Sequence, residues 1–169
     1  HLKIGNNFYR TLFVSGYPYV ASTGWLNNLI NFNHDIDISY HIEQVDPLTA
    51  LPKLIRKITE LESTKRTMLK EGKVIGSEIT DPLESAMELK DKIQRGMEKL
   101  FQISIYMTIS AESLIELNKV TKLLETVMQT RLFYIKPATF QQIEGLQSIL
   151  PRAENKLAQK RNLDSSSAA

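Results

Sequence analysis

Phe101 to Ser110, FQISIYMTIS, constrains the fold of this chain more than any other stretch. Phe101, Ile103, Ile105, Met107 and Ile109 alternate strictly with Gln102, Ser104, Tyr106, Thr108 and Ser110. Period-2 alternation of this kind puts the first set on one side of an extended chain and the second on the other. The expectation is a strand with one buried face and one wet face, packed against the helix-like segments that flank it in sequence.

Two further segments read as strands. Tyr9 to Ser15, YRTLFVS, is apolar on both sides and rich in aromatic and branched residues, which suits an inner strand. Asp35 to Gln44 alternates again, Ile36, Ile38, Tyr40 and Ile42 against Asp35, Asp37, Ser39, His41 and Glu43. Arg131 to Lys136, ended by Pro137, is a fourth candidate.

Helices account for the rest. Thr23 caps a short one carrying Trp25, Leu26, Leu29 and Ile30. Asp46-Pro47 opens a long one with the apolar stripe Leu48, Leu51, Leu54, Ile55, Ile58 and Leu61, and Pro52 predicts a kinked start. Gly72, Gly76 and Asp81-Pro82 mark an exposed connection, and Asp81 with Glu84 forms a capping box for the next helix, which carries Leu89, Ile93, Met97 and Leu100. Ser110 caps a helix with Leu114, Leu117, Val120, Leu124 and Val127. Thr139 with Gln142 caps a short helix running to Leu150 and stopped by Pro151. The order is β-α-β-α-α-β-α-β-α, an α+β fold with a small four-stranded, mainly antiparallel sheet and helices packed on one face.

With 169 residues, 42% of them apolar and 24% charged, the chain has enough material for one core. The expected division is a domain over 1–151, followed by a basic helical segment and a Ser/Ala linker over 152–169. Between Arg152 and Arg161, the basic residues Arg152, Lys156, Lys160 and Arg161 against Glu154 give a local charge of +3, so a net charge of +2 leaves −1 for everything else. There is no cysteine, which excludes a disulfide framework and thiolate metal sites and fits a reducing compartment. No apolar run approaches the roughly 20 residues that span a bilayer. The start, HLKIGNNF, has no signal-peptide apolar region, and the expectation is a piece of a longer protein.

A nucleotide site needs glycines for close backbone approach and a lysine for the phosphates. Gly16 to Gly24 has the wrong spacing, Gly72-Lys73 is not followed by Ser or Thr, and no strand ends in an acidic pair placed for magnesium. No nucleotide, metal or other cofactor is expected in these residues. His34 and His41 lie a strand's length apart, and His41 belongs to a polar face, where a solvated or salt-bridged ring is expected rather than a ligand. Asp35, Asp37 and Glu43 share that face with nothing apolar to desolvate them for acid/base work. RNA-binding sheets stack bases on several exposed aromatics. Here Tyr106 stands alone on its polar side and the neighbouring strand is acidic, so the core domain is not expected to bind nucleic acid.

The candidate interaction residues are Tyr17, Pro18, Tyr19 and Trp25, with Val20 beside them, and the basic set Arg152, Lys156, Lys160 and Arg161. The aromatic group is open to two readings, ordinary core or a partner-facing patch. The basic group is a solvated face, a domain-docking element or a nucleic-acid contact.

Tyr9, Leu12, Gly16-Tyr17-Pro18, Gly24-Trp25-Leu26, the alternating strand ending near Asp46-Pro47, Leu146, Leu150-Pro151 and the basic stretch closing at Arg161 together define a pattern. That pattern resembles the N-terminal domain of the TraC/TrbE-like ATPases of conjugation and type IV secretion, in the HerA/FtsK-type motor group. The resemblance implies a non-catalytic interaction and assembly domain that precedes a RecA-like motor. Its partners would be that motor and other secretion components, within a hexamer at the cytoplasmic face of the inner membrane. ATP and magnesium would belong to the motor alone, which lies outside these residues. The alternatives are a nucleic-acid-binding module using the basic segment and a stand-alone structural adaptor.

Overall fold

The computed structural model describes residues 1–18 and 27–165. The strands are β1 (Leu2–Ile4), β2 (Asn7–Gly16), β3 (Ile36–Val45), β4 (Leu100–Ala111), β5 (Tyr134–Pro137) and β6 (Arg161–Asp164). The helices are α1 (Asn27–Ile30), α2 (Pro47–Lys70), α3 (Ser77–Gln94), α4 (Leu114–Gln129) and α5 (Gln142–Ile149). The expected α+β class and element order hold. Two short strands near the chain ends, β1 and β6, bring the sheet to six strands, in the order β1-β2-β4-β3, with β5 on β2 and β6 on β4. The chain divides into two compact units, His1–Ile42 with Ile103–Arg161, and Glu43–Gln102 with the residues from Asn162 onward.

In the first unit β4 lies against β2 in antiparallel register, Tyr9 opposite Ser110, Thr11 opposite Thr108, and Phe13 opposite Tyr106. Ile103, Ile105, Met107 and Ile109 are buried as their pattern requires, but Ser104, Tyr106 and Thr108 are buried too. The strand is covered on both faces, which corrects the expectation of one wet face. Arg10, on the same side of β2 as Leu12 and Val14, reaches Thr121 and Asn118 of α4 at 2.8 Å each, so α4 covers this side. Leu117, Val120, Leu124 and Met128 of α4 fill it.

The other side carries Thr11, Phe13 and Tyr106 and lies beneath α5 and the segment that follows it. A Cβ on Gly145 would sit 2.9 Å from Thr11 side-chain carbons, so glycine is what lets α5 approach β2 this closely. Buried hydroxyls satisfy each other here, Thr11 and Thr108 at 2.7 Å across the strands.

Gln142 closes a gap in the sheet edge. Along the outer edge of β2, β1 ends opposite Tyr9 and β5 begins opposite Leu12; between them the Thr11 carbonyl accepts from Ala138 N–H at 2.9 Å, just past β5, and the Thr11 N–H has no backbone partner. The Gln142 carboxamide takes that place: its oxygen accepts from Thr11 N–H at 2.8 Å, and its nitrogen donates to the Thr11 carbonyl at 3.1 Å and to the Ala138 carbonyl at 3.0 Å. This replaces the expected Thr139–Gln142 capping box, and α5 begins without a side-chain cap.

The second unit is led by the hairpin of α2 and α3. Asp46 caps α2 as expected, accepting from Leu48 N–H at 2.9 Å. The helix runs unbroken through Pro52. Leu48 and Ile55 of the expected stripe are exposed, whereas Ala50 and Ile58 are buried. The start of α3 moves from the expected Asp81 to Ser77, after Gly76, because Asp81-Pro82 is tolerated in the second turn. In the first unit the cap of α4 is Ser113, accepting from Glu116 N–H at 3.2 Å, rather than Ser110, which belongs to β4. The last strand candidate is shorter than expected at its start, since the chain turns at Leu132 with φ 60° before β5.

Replacing Gln142 with Ala leaves two buried backbone groups of Thr11 with fewer partners, so unfolding in urea is expected to show a loss of about 2–3 kcal/mol. A loss below about 0.5 kcal/mol would mean that the edge is closed by something else.

Candidate interaction site

The segment 152–160 was expected to be a basic helix and is not one. It crosses the Tyr106 side of the first unit in turns and extended backbone, with Ala153 and Ala158 in the left-handed region at φ 54° and 52°. Side chains of the sheet hold it there. Tyr106, fully buried, donates its hydroxyl to Asn155 Oδ1 at 2.6 Å and accepts from Gln159 N–H at 3.1 Å. Asn155 Oδ1 also accepts from Ala158 N–H at 2.9 Å, and its Nδ2 donates to Ser104 Oγ at 3.0 Å. Leu157 is buried beside Tyr106 and Ala138, and its N–H donates to Ser148 Oγ at 3.0 Å. A helix would have consumed these N–H groups internally, so the buried hydroxyls on the sheet select the open conformation.

His41 is part of the same arrangement. Its Nε2 lies 2.7 Å from the Ser148 carbonyl and 3.1 Å from Ser39 Oγ, and its ring lies 5.5 Å from that of Tyr106. The histidine expected to be solvated or salt-bridged is instead half-buried and hydrogen-bonded to neutral groups, and on β3 it is Tyr40 and Ile42 that are exposed.

Where the segment runs into the start of β6 it forms one wall of a recess of about 320 Å³, lined by Phe13, Tyr17, Lys136, Gln159, Lys160 and Arg161, among others. Tyr17 stands edge-on to Phe133 with ring centroids 5.8 Å apart. The turn into it depends on Gly16, where an added Cβ would sit 3.0 Å from the Tyr134 ring. Burial pushes the Tyr17 phenol up to about 12, with Arg161 acting in the opposite sense. The recess thus combines an aromatic wall with three cationic side chains. It is suited to hold an acidic or phosphate-like group beside an apolar one.

The structure therefore brings Tyr17, Lys160 and Arg161 together, with Pro18 half-buried next to them in the chain. Arg152 and Lys156 stand apart, both bound to Glu154, at 3.2 and 3.3 Å. Tyr19 and Trp25 lie outside the described residues. Lys136 and Asn155 were missed by sequence reasoning. Lys136 lies on a short strand with no pattern of its own, and Asn155 is signalled only by the need of Tyr106 for a partner. Among the described residues there is no cluster of His, Asp or Glu able to hold a metal, and no helix long and apolar enough to cross a membrane.

No protein-family model matches the chain, and no curated protein matches it.

The native state holds the Tyr17 proton to about pH 12, while an unperturbed phenol releases it near 10.0. The raised native pKa gives a contribution to stability that is complete below the unfolded value and is lost as pH rises through the folded one. Tyr17→Phe has no such proton. Its urea midpoint is expected to fall less steeply than that of the parent between about pH 10 and 12; parallel curves would place the phenol in water.

Proposed function

We propose that this chain is the non-catalytic N-terminal interaction domain of a TraC/TrbE-like conjugative-transfer ATPase, coupling hydrolysis in a downstream motor to pilus assembly or substrate transfer. The observation that carries the reading is the convergence of Tyr17, Lys160 and Arg161 on one recess. The Gly16-Tyr17-Pro18 run and the basic stretch ending at Arg161 are distant in sequence, and both belong to the resemblance. An aromatic recess ringed by cations suits the capture of an acidic loop on a protein partner, with charge setting register and the aromatic wall supplying burial. In this reading the partner is the motor, the full assembly is a hexamer, and the protein works at the inner face of the cytoplasmic membrane without crossing it.

The test supplies the motor in trans, as the polypeptide encoded after Ala169. The purified chain is expected to bind it in calorimetry and to show no ATP hydrolysis by itself. Lys160→Glu with Arg161→Glu is expected to weaken association about tenfold or more, and Arg152→Glu with Lys156→Glu far less. Hydrolysis by the chain alone, or a downstream sequence without a phosphate-binding loop, would contradict the proposal. A salt-dependent shift of DNA or RNA mobility, lost when Lys156, Lys160 and Arg161 are neutralised, would move the assignment to a nucleic-acid-binding module.

A further inference from the structure

The second unit contains a separate recess of about 390 Å³, within the range of small-molecule sites. One wall is a stripe of α2, Ala50, Lys53, Leu54 and Lys57, residues spaced three and four apart and so on one face of the helix. Val45 at the end of β3, Leu89 of α3, Leu100 at the start of β4 and Leu163 of β6 complete an apolar floor.

Among the described residues that line it, the charges are of one sign. Lys53 and Lys57 sit one turn apart, and neither makes an ion pair or hydrogen bond among the described residues. Glu60, three residues beyond Lys57, is taken by Arg56 at 3.2 Å, while on α3 Glu88 pairs with Lys92 at 2.8 Å and Asp91 with Lys90 at 3.3 Å. Two like charges at this spacing repel and disfavour the helix by a few tenths of a kcal/mol. An anion held between them removes that repulsion and gains two charge-assisted contacts. The amides of Gln102 and Asn162 also line the recess and supply further polar groups.

We infer that this recess is a binding site for a medium-chain aliphatic carboxylate, its tail on the Val45, Leu54, Leu89, Leu100 and Leu163 floor and its head between Lys53 and Lys57. The site stands on residues of the second unit alone and is independent of the recess at Tyr17.

Calorimetry of the full chain with decanoate, kept below its micelle-forming concentration, should show one-to-one binding, and decanol should bind more weakly. Lys53→Gln with Lys57→Gln should weaken decanoate about tenfold and leave decanol unchanged; both positions are exposed, so the fold should survive the change. In ¹H–¹⁵N spectra the shifts caused by decanoate should centre on Val45, Leu54, Leu100 and Leu163. Equal affinity for decanol and decanoate, insensitivity to the lysine changes or shifts elsewhere would overturn the assignment. So would binding to phosphatidylglycerol vesicles with none to decanoate, which would indicate a membrane-surface contact instead.

Discussion

The hydroxyl of Tyr106 is the group on which the first unit depends. It lies in the middle of the central strand with no exposed surface, and a buried phenol without partners is costly by about 1–3 kcal/mol. Its donor goes to Asn155 and its acceptor to Gln159 N–H, both more than forty-five residues away in sequence. Satisfying that one group requires the segment after α5 to return across the sheet with its N–H groups free. Asn155 then ties Ser104 and Ala158 into the same cluster. The left-handed alanines at 153 and 158 are backbone conformations that a non-glycine residue adopts at a cost of about 1–2 kcal/mol each, and the clamp holds them.

The position of the candidate recess follows from this clamp. Lys160 and Arg161 come immediately after Gln159, whose N–H is bound to Tyr106, so their backbone is delivered to the side of β2 where Tyr17 emerges. Tyr17 is placed by the end of β2, where Gly16 accommodates the ring of Tyr134. The same strand is tied at its outer edge by Gln142 and at its inner edge by β4. A basic tail that local charge alone would leave in solvent becomes one wall of a shaped site.

The element order was legible because it rests on local signals: two alternating strands, the Asp46-Pro47 start of α2, and apolar recurrence in α4. The second face of β4 was not. Ser104, Tyr106 and Thr108 look like a wet surface because their polarity is visible in the sequence and their hydrogen-bond partners, up to 97 residues away, are not. The same blindness hid Gln142, whose spacing from Thr139 imitates a capping box while its side chain reaches Thr11, 131 residues distant. Helix starts slipped for a milder reason. Ser110 and Asp81 are sound capping residues, but strand pairing claims the first and the helix beginning at Ser77 encloses the second. Of the candidate site, the sequence named Tyr17, Lys160 and Arg161 and had no means of bringing them together.

The most direct test of this account is amide hydrogen exchange at Ala158 and Gln159 in the parent chain and in Tyr106→Phe. The account predicts slow exchange at both positions in the parent. In the variant it predicts acceleration at these two amides by about tenfold or more, while Thr11 and Met107 remain protected. Unchanged exchange at Ala158 and Gln159, or fast exchange there in the parent itself, would show that the buried tyrosine does not hold the segment and would remove the basis for the recess beside Tyr17.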